Sequence, residues 1–244
     1  MSTLKEKTAK GLGWGFVDNF VGTGITAVVS ILLARILSPQ EFGLVGMIAI
    51  FISLGNSLMD SGFSGALIRK KDATDKDLST VFYTNLILSI VIYAILYLCA
   101  PAIGSFLGNS FLTTLLRVLG LSVVIMSFTQ VQKVNFIRKI DFRTQAIISL
   151  AASLVSGVVS IWMALKGCGV WSLVAQQLSK QAVVSLLLWV FSTWKPSFTF
   201  SFASFKEMFG FGSRLLACSL ISVIWNEIYS LVIGKMYNPI AVGY

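Results

Sequence analysis

The 244-residue chain has no histidine, three cysteines, four prolines and only 12% charged residues. Without histidine there is no Ser-His-Asp triad, no His-paired cysteine nucleophile and no imidazole metal ligand. Cys99, Cys168 and Cys218 are too scattered for a metal cluster. Each sits in or beside an apolar run, where cysteine acts as a small packing residue. A soluble domain carries about 25% charge, so the charge deficit excludes a water-soluble globule. Residues 2–10 are polar and basic but lack a small-residue cleavage site, and read as a cytoplasmic lead-in to a membrane span.

What the chain has is apolar length. Hydrophobic residues make up 56% of it, gathered into seven spans at 12–37, 42–67, 79–100, 111–132, 144–165, 169–193 and 206–234. About 20 such residues at a 1.5 Å rise cover the ~30 Å of bilayer hydrocarbon. This predicts an all-α integral membrane protein, a polytopic helical bundle. The connections are short, the longest outward one near residues 101–111, which leaves no room for a soluble catalytic domain.

Charge then gives orientation. Lys5, Lys7, Lys10, Arg69, Lys70, Lys71, Lys76, Lys133, Arg138, Lys139, Arg143, Lys195 and Lys206 fall on one side of the spans. Only Arg35, Arg117, Lys166 and Lys235 fall on the other. Lysine and arginine concentrate in cytoplasmic loops, which predicts a cytoplasmic N-terminus. The net charge of +9 is then a property of loops facing anionic lipid, with no call for nucleic acid as a partner. Three aspartates in the 69–77 loop sit among lysines and arginine as in a solvated turn. Thr74 and Asp77, three residues apart ahead of an apolar run, form a helix N-terminus signature.

The spans are not uniformly apolar. Asn19, Thr23, Thr26 and Ser30 recur at helical spacing in the first, which also carries Asp18. Ser53, Asn56, Ser57, Asp60 and Ser64 repeat the pattern in the second, and Ser149, Ser153, Ser156 and Ser160 in the fifth. Serine stripes serve as helix-packing surfaces or as cavity walls. The sixth span sets Ser172, Gln176 and Lys180 on one face with Gln177 and Gln181 beside them. The seventh offers Arg214, Ser219, Ser222, Asn226 and Ser230, with Glu227 adjacent. A cation at a membrane-helix centre costs ~2.5–3.5 kcal/mol unless partnered or hydrated. Lys180 therefore lines a wet cleft or pairs with Asp18, Asp60 or Glu227. Arg214 lines the cleft or snorkels to the interface, and Arg35 is interfacial or pairs with Glu41. Asp18 and Asp60 are the candidates for coupling to H+ or Na+, because a carboxylate in low dielectric takes up a proton more readily.

A weak internal echo divides the chain. Gly13-Trp14-Gly15, a span, and Leu37-Ser38-Pro39-Gln40-Glu41-Phe42-Gly43 are answered by Gly210-Phe211-Gly212, a span, and Tyr237-Asn238-Pro239-Ile240-Ala241-Val242-Gly243. Six spans separate the two, so both run in the same direction, as parallel repeats of a transporter do. This predicts an N-terminal transmembrane lobe of about six helices over residues 1–195 and the first helix of a second lobe over 196–244.

Ala34-Arg35-Ile36-Leu37-Ser38-Pro39-Gln40-Glu41-Phe42-Gly43, followed by Asp60-Ser61-Gly62-Phe63-Ser64-Gly65-Ala66-Leu67-Ile68, resembles the Wzx-type polysaccharide and O-antigen flippases. These belong to the multidrug/oligosaccharidyl-lipid/polysaccharide exporter superfamily, and the likeness is greatest to the colanic-acid branch. The resemblance implies two six-helix lobes facing each other in a V within the bacterial inner membrane. It implies translocation of an undecaprenyl-pyrophosphate-linked oligosaccharide from the cytoplasmic to the periplasmic leaflet, with polysaccharide polymerase and chain-length machinery as further partners. It implies a transporter without cofactor, not an enzyme. The chain departs from the pattern by ending after seven spans. Such a substrate needs its pyrophosphate and glycan hidden from hydrocarbon. The residues offered for this are Lys180 and Arg214 for the anion, with Gln176, Gln177, Asn56 and Asn226 for sugar hydroxyls. Rival readings are a multidrug exporter of the same superfamily, which would favour an acidic aromatic cavity, and a membrane enzyme acting on lipid-linked glycans.

Overall fold

A computed structural model describes residues 4–60, 63–70 and 73–236, apart from the side chains of 4–12, 15–19, 60, 211, 214, 230 and 234. Every regular element among them is an α-helix: α1 Leu4–Ile36, α2 Pro39–Asp60, α3 Phe63–Arg69, α4 Asp75–Phe106, α5 Phe111–Leu119, α6 Leu121–Arg138, α7 Phe142–Leu165, α8 Trp171–Phe191 and α9 Phe202–Met236. Six stretches, Pro39–Arg69, Asp75–Phe106, Phe111–Arg138, Phe142–Leu165, Trp171–Phe191 and Leu215–Ile233, are long and apolar enough to cross a bilayer. In α1 the described apolar stretch is Phe20–Ile36. The chain is thus an all-α, polytopic membrane protein.

Local chemistry sets the helix ends. Pro39 opens α2, where its missing N–H is no loss. The Glu41 carboxylate accepts from the Ser38 backbone N–H at 2.6 Å and from the Ser38 hydroxyl at 3.0 Å. Glu41 therefore folds back onto its own helix start. Thr74 and Asp77 close a reciprocal capping box at the start of α4, as their spacing predicts. Asp77 also bonds Lys70 at 3.2 Å, and Lys70 bonds Glu207 of α9 at 2.9 Å. The Glu207 bond holds the Lys70 ammonium above its ordinary range.

Several boundaries differ from those the sequence predicts. Pro101 lies inside α4, which runs on to Phe106 and leaves only residues 107–110 as the outward connection. A proline removes the donor for the carbonyl four residues back. That carbonyl, Tyr97 O, receives a long bond of 3.5 Å from Arg117 Nε, whose guanidinium also stacks 4.2 Å from the Tyr97 ring centroid. The fourth span is likewise two helices, α5 and α6, meeting at Gly120, where an added Cβ would lie 3.1 Å from the Tyr93 ring. Val134 and Phe136 extend α6 to Arg138, so Lys133 belongs to a membrane helix and not to the connection after it.

In lipid, apolar burial alone does not favour helix on helix over helix on tail, so close packing must do so. α7 packs most extensively on α1 and α8. Its Ser153, Ser156 and Ser160 are buried, the last two donating to carbonyls one turn back at 3.1 and 2.9 Å. At Gly157 an added Cβ would come within 2.8 Å of Val29 Cγ2 on α1, which fixes how near the two helices run. Leu33 and Leu173 complete that seam. A second core joins Met47 and Ile48 of α2 to Leu112, Leu115 and Leu116 of α5 and Val174 of α8. A third, at the opposite end, joins Phe63, Leu67, Phe82, Val131 and the buried Trp194. Ile87, Ile90, Val91, Ile95 and Leu98 of α4 stand exposed as a lipid face.

α9 lies chiefly against α2 and α3. The connection leading to it, residues 192–201, is fastened to the bundle. Gln132 Nε2 donates to Trp194 O at 3.3 Å, and the backbone N–H groups of Ser197 and Ser201 donate to Ser79 Oγ at 3.1 Å and Thr80 Oγ1 at 3.0 Å.

Candidate functional site

Among the described residues, three cavities open beside the polar stripes of the helices. The first, about 270 Å³, lies between α1, α2, α7 and α8 and is lined by Thr26, Ser153, Ser156, Gln176, Gln177 and Lys180. Helical spacing on α8 presents Gln176, Gln177 and Lys180 to one space, as the sequence predicts. Lys180 is nine residues from the start of α8 and eleven from its end, hence near mid-membrane. Its ammonium donates to Thr26 Oγ1 at 3.3 Å. Among the described residues no carboxylate stands within salt-bridge distance of it. Ser153 Oγ, buried beside it, has no hydrogen-bond partner. A hydroxyl does not neutralise a cation, so the chamber holds a charge open to water or to an anion.

Of the acidic residues weighed as partners for Lys180, two sit at other levels of their helices. Asp18 precedes Thr26 by eight residues, ~12 Å along α1, and Asp60 ends α2, far from the Phe42 and Val45 that reach this cavity. The side chains of Asp18, Asp60 and Arg214 lie outside the described residues. Glu227 accepts from Ser53 Oγ at 3.4 Å, joining α9 to α2.

The second cavity, about 500 Å³, lies between α2, α3, α6 and α9, with Ser53, Asn56, Ser64, Gln130, Lys133 and Ser219 among its lining. Asn56 Oδ1 is buried there without a partner. Ser64 Oγ reaches Gln130 Oε1 at 3.5 Å. The third, about 210 Å³, lies between α6, α7 and α8 and takes in Thr129, Gln130, Lys133, Gln145, Ser149 and Gln181. Gln145 Nε2 is buried there without a partner, while Gln181 Nε2 donates to Thr129 Oγ1 at 3.2 Å.

The grouping of site residues therefore changes. Lys180, Gln176 and Gln177 share a chamber, but Asn56 belongs to a different one. Asn226 stands exposed on α9 and lines none of the three. A stripe on one helix gives a face but not the neighbour it meets, and the face of α9 that meets α2 carries Ser219 and Glu227. Gln130, Lys133 and Gln145 are the polar residues that reading by stripes misses. Gln130 and Lys133 are three residues apart and so share a face of α6, a signal hidden by assigning Lys133 to a loop.

The family profile for polysaccharide biosynthesis proteins matches residues 32–244. The chain is 27% identical, over 99% of its own length and 50% of the relative, to the lipopolysaccharide biosynthesis protein WzxC of Escherichia coli K12. It is 27% identical to the teichuronic acid biosynthesis protein TuaB of Bacillus subtilis, over 100% of itself and 51% of that protein. It is 26% identical to the succinoglycan biosynthesis transport protein ExoT of Rhizobium meliloti, over 96% of itself and 47% of that protein. The chain thus spans about half the length of the curated relatives it matches. A solved multidrug resistance MATE family transporter of the MOP superfamily, in an inward-facing conformation, shares the fold with a TM-score of 0.60 at 20% identity, covering 90% of this chain and 55% of that one.

Proposed function

The chain belongs to the polysaccharide biosynthesis protein family, and from that premise we propose that it translocates an undecaprenyl-pyrophosphate-linked oligosaccharide from the cytoplasmic to the periplasmic leaflet. The observation that carries this reading is the Lys180 chamber. A mid-membrane ammonium faces hydroxyls and amides, and no carboxylate among the described residues quenches it. Lys180 contacts the pyrophosphate or an acidic sugar, and Gln176 and Gln177 contact sugar hydroxyls, while the isoprenoid tail stays in lipid. Charge-assisted bonds suit an anion, and amides suit hydroxyls. An acidic aromatic lining, which a carrier of hydrophobic cations would use, is not what surrounds Lys180. The short connections at both ends support a transporter over an enzyme.

In this reading the basic end, with Lys70, Lys139 and Arg143, faces the cytoplasm. Residues 1–195 act as one lobe and α9 begins a second. The glycan polymerase and chain-length machinery act on the product at the far leaflet.

The experiment is the sidedness of lipid-linked glycan in cells lacking the protein. Labelled undecaprenyl-pyrophosphate oligosaccharide in intact spheroplasts is probed with an impermeant lectin or glycosidase. Glycan out of reach without the protein, and exposed when the full-length protein is restored, is the expected result. Exposure at the normal rate without it ends the translocation reading.

A further inference from the structure

Most described cations of this protein are held. Arg117 stacks on Tyr97, Lys166 lies 3.9 Å from the centroid of Trp162, Lys235 covers Phe106, and Lys70 is bonded to two carboxylates. Lys133 is not held. Among the described residues no carboxylate, hydroxyl or aromatic face meets its ammonium, although it lines two cavities at once. Those cavities share Met126, Gln130 and Lys133 as a common wall on α6. Asn56 lines the cavity on one side of the wall and Gln145 the cavity on the other, and Asn56 Oδ1 and Gln145 Nε2 are buried without a partner. Gln130, only 3% exposed, stands between them. A cation and three amide side chains therefore line two adjoining spaces, each large enough for more than water.

We propose that this double cavity is the cytoplasmic-side docking site for an anion bearing hydroxylated groups, Lys133 holding the anion and Asn56, Gln130 and Gln145 the hydroxyls. This deepens the translocation reading and rests on it for the anion's identity, the pyrophosphate of the lipid-linked glycan. Depth separates the site from the Lys180 chamber. Lys133 is five residues from the last residue of α6, ~8 Å of helix, whereas Lys180 is mid-span. The two spaces adjoin along α8. Gln181, bonded to Thr129, lines the one and Lys180 the other. Together the two cavities run from Leu188 to Leu173, ~22 Å of α8. An anion can therefore bind first near the membrane surface at Lys133 and next at mid-depth at Lys180.

The test uses the full-length protein in lipid nanodiscs, titrated with inorganic pyrophosphate and followed by calorimetry. Lys133→Gln keeps the helix and the length of the side chain but removes the charge. Its affinity for pyrophosphate is expected to fall about ten- to a hundredfold, the range of one charge-assisted bond. Lys133→Arg restores binding, which a merely structural role of the lysine would not explain. Lys166→Gln, at the opposite end of the bundle, leaves the titration unchanged. A Lys133→Gln titration that overlays the wild type overturns the site, and it does so even if glycan sidedness still depends on the protein. Conversely, pyrophosphate binding lost in Lys133→Gln upholds the anion site even where the sidedness experiment fails, in which case only the anion's identity falls.

Discussion

Replacing Lys180 by methionine keeps an unbranched stem in the chamber and deletes the ammonium. The bond lost is a single one to a neutral hydroxyl, Thr26 Oγ1 at 3.3 Å, beyond the usual hydrogen-bond distance. A cation at a membrane-helix centre costs ~2.5–3.5 kcal/mol, and a hydrogen bond made by a charged group returns ~1.5–3 kcal/mol. The terms nearly cancel, with a remainder favouring removal, so Lys180→Met is expected to melt no lower than the wild type. A lysine locked in an intramembrane ion pair behaves oppositely, because its loss strands a buried carboxylate at ~3–5 kcal/mol. The sign of the change is therefore diagnostic. Intrinsic tryptophan fluorescence of the purified full-length protein during heating reads it, and the sidedness assay reads transport in the same variant. Transport is expected to drop by about one to two orders of magnitude for one lost charge-assisted contact. A melting temperature several degrees lower, or glycan exposed at the wild-type rate, would refute the assignment of Lys180 as an open anion contact.

Gly157→Leu places a side chain where even a Cβ would lie 2.8 Å from Val29 Cγ2. Val29 is β-branched and stiff, so α1 must move off α7, at ~1–3 kcal/mol and with a lowered melting temperature as readout. A variant that melts like the wild type would mean the two helices do not run this close. Lys70→Gln breaks the link from the start of α4 to the start of α9. Glu207 is largely exposed, so the loss is expected to stay under about 1 kcal/mol. Because Glu207 raises the Lys70 pKa above 10.5, the link is complete at neutral pH and fades only as pH climbs through the raised value. The melting difference between Lys70→Gln and wild type should therefore be constant from pH 7 to 9 and shrink above 10.5, and a difference that grows there contradicts the pairing.

Composition and apolar length were enough to read the membrane class, because bilayer thickness dictates helix length whatever the helices pack against. Short-range signatures were legible for the same reason. Thr74 and Asp77 act across three residues of one chain, and Gln176, Gln177 and Lys180 share an arc of one helix. Pro101 escaped because its freed carbonyl is answered by Arg117, a residue of the next helix with no local signature. Asn56 and Asn226 each lie on a polar stripe, yet neither lines the chamber that holds Lys180. Which stripe meets which is decided by crossings such as Gly157 against Val29, and these depend on surfaces far apart in sequence. Lys133 was obscured by the same charge count that orients the chain. A lysine near a basic end reads as loop until the helix is seen to pass through it.

Different sets of helices wall the two sites. The Lys180 chamber is built from α1, α2, α7 and α8 alone, with Gly157, the serines of α7 and the buried Leu33 and Leu173 fixing their spacing. The Asn56 side of the Lys133 site borrows Ser219 and Val223 from α9, and α9 touches the bundle mainly through α2 and α3. Polar contacts of α9 with the bundle include Lys70–Glu207 and Asp77–Ser204 at the basic end, Ser53–Glu227 within the membrane, and Lys235 donating to Phe106 O of α4 at the far end. The connection before α9 is anchored separately, by Ser79 and Thr80 of α4. α9 thus contributes to the wall around Lys133 and Asn56 and takes no part in the lining around Lys180 and Thr26. Substitutions on the α2-facing side of α9, at Ser219 or Val223, are therefore expected to alter the Lys133 site and to spare the Lys180 chamber.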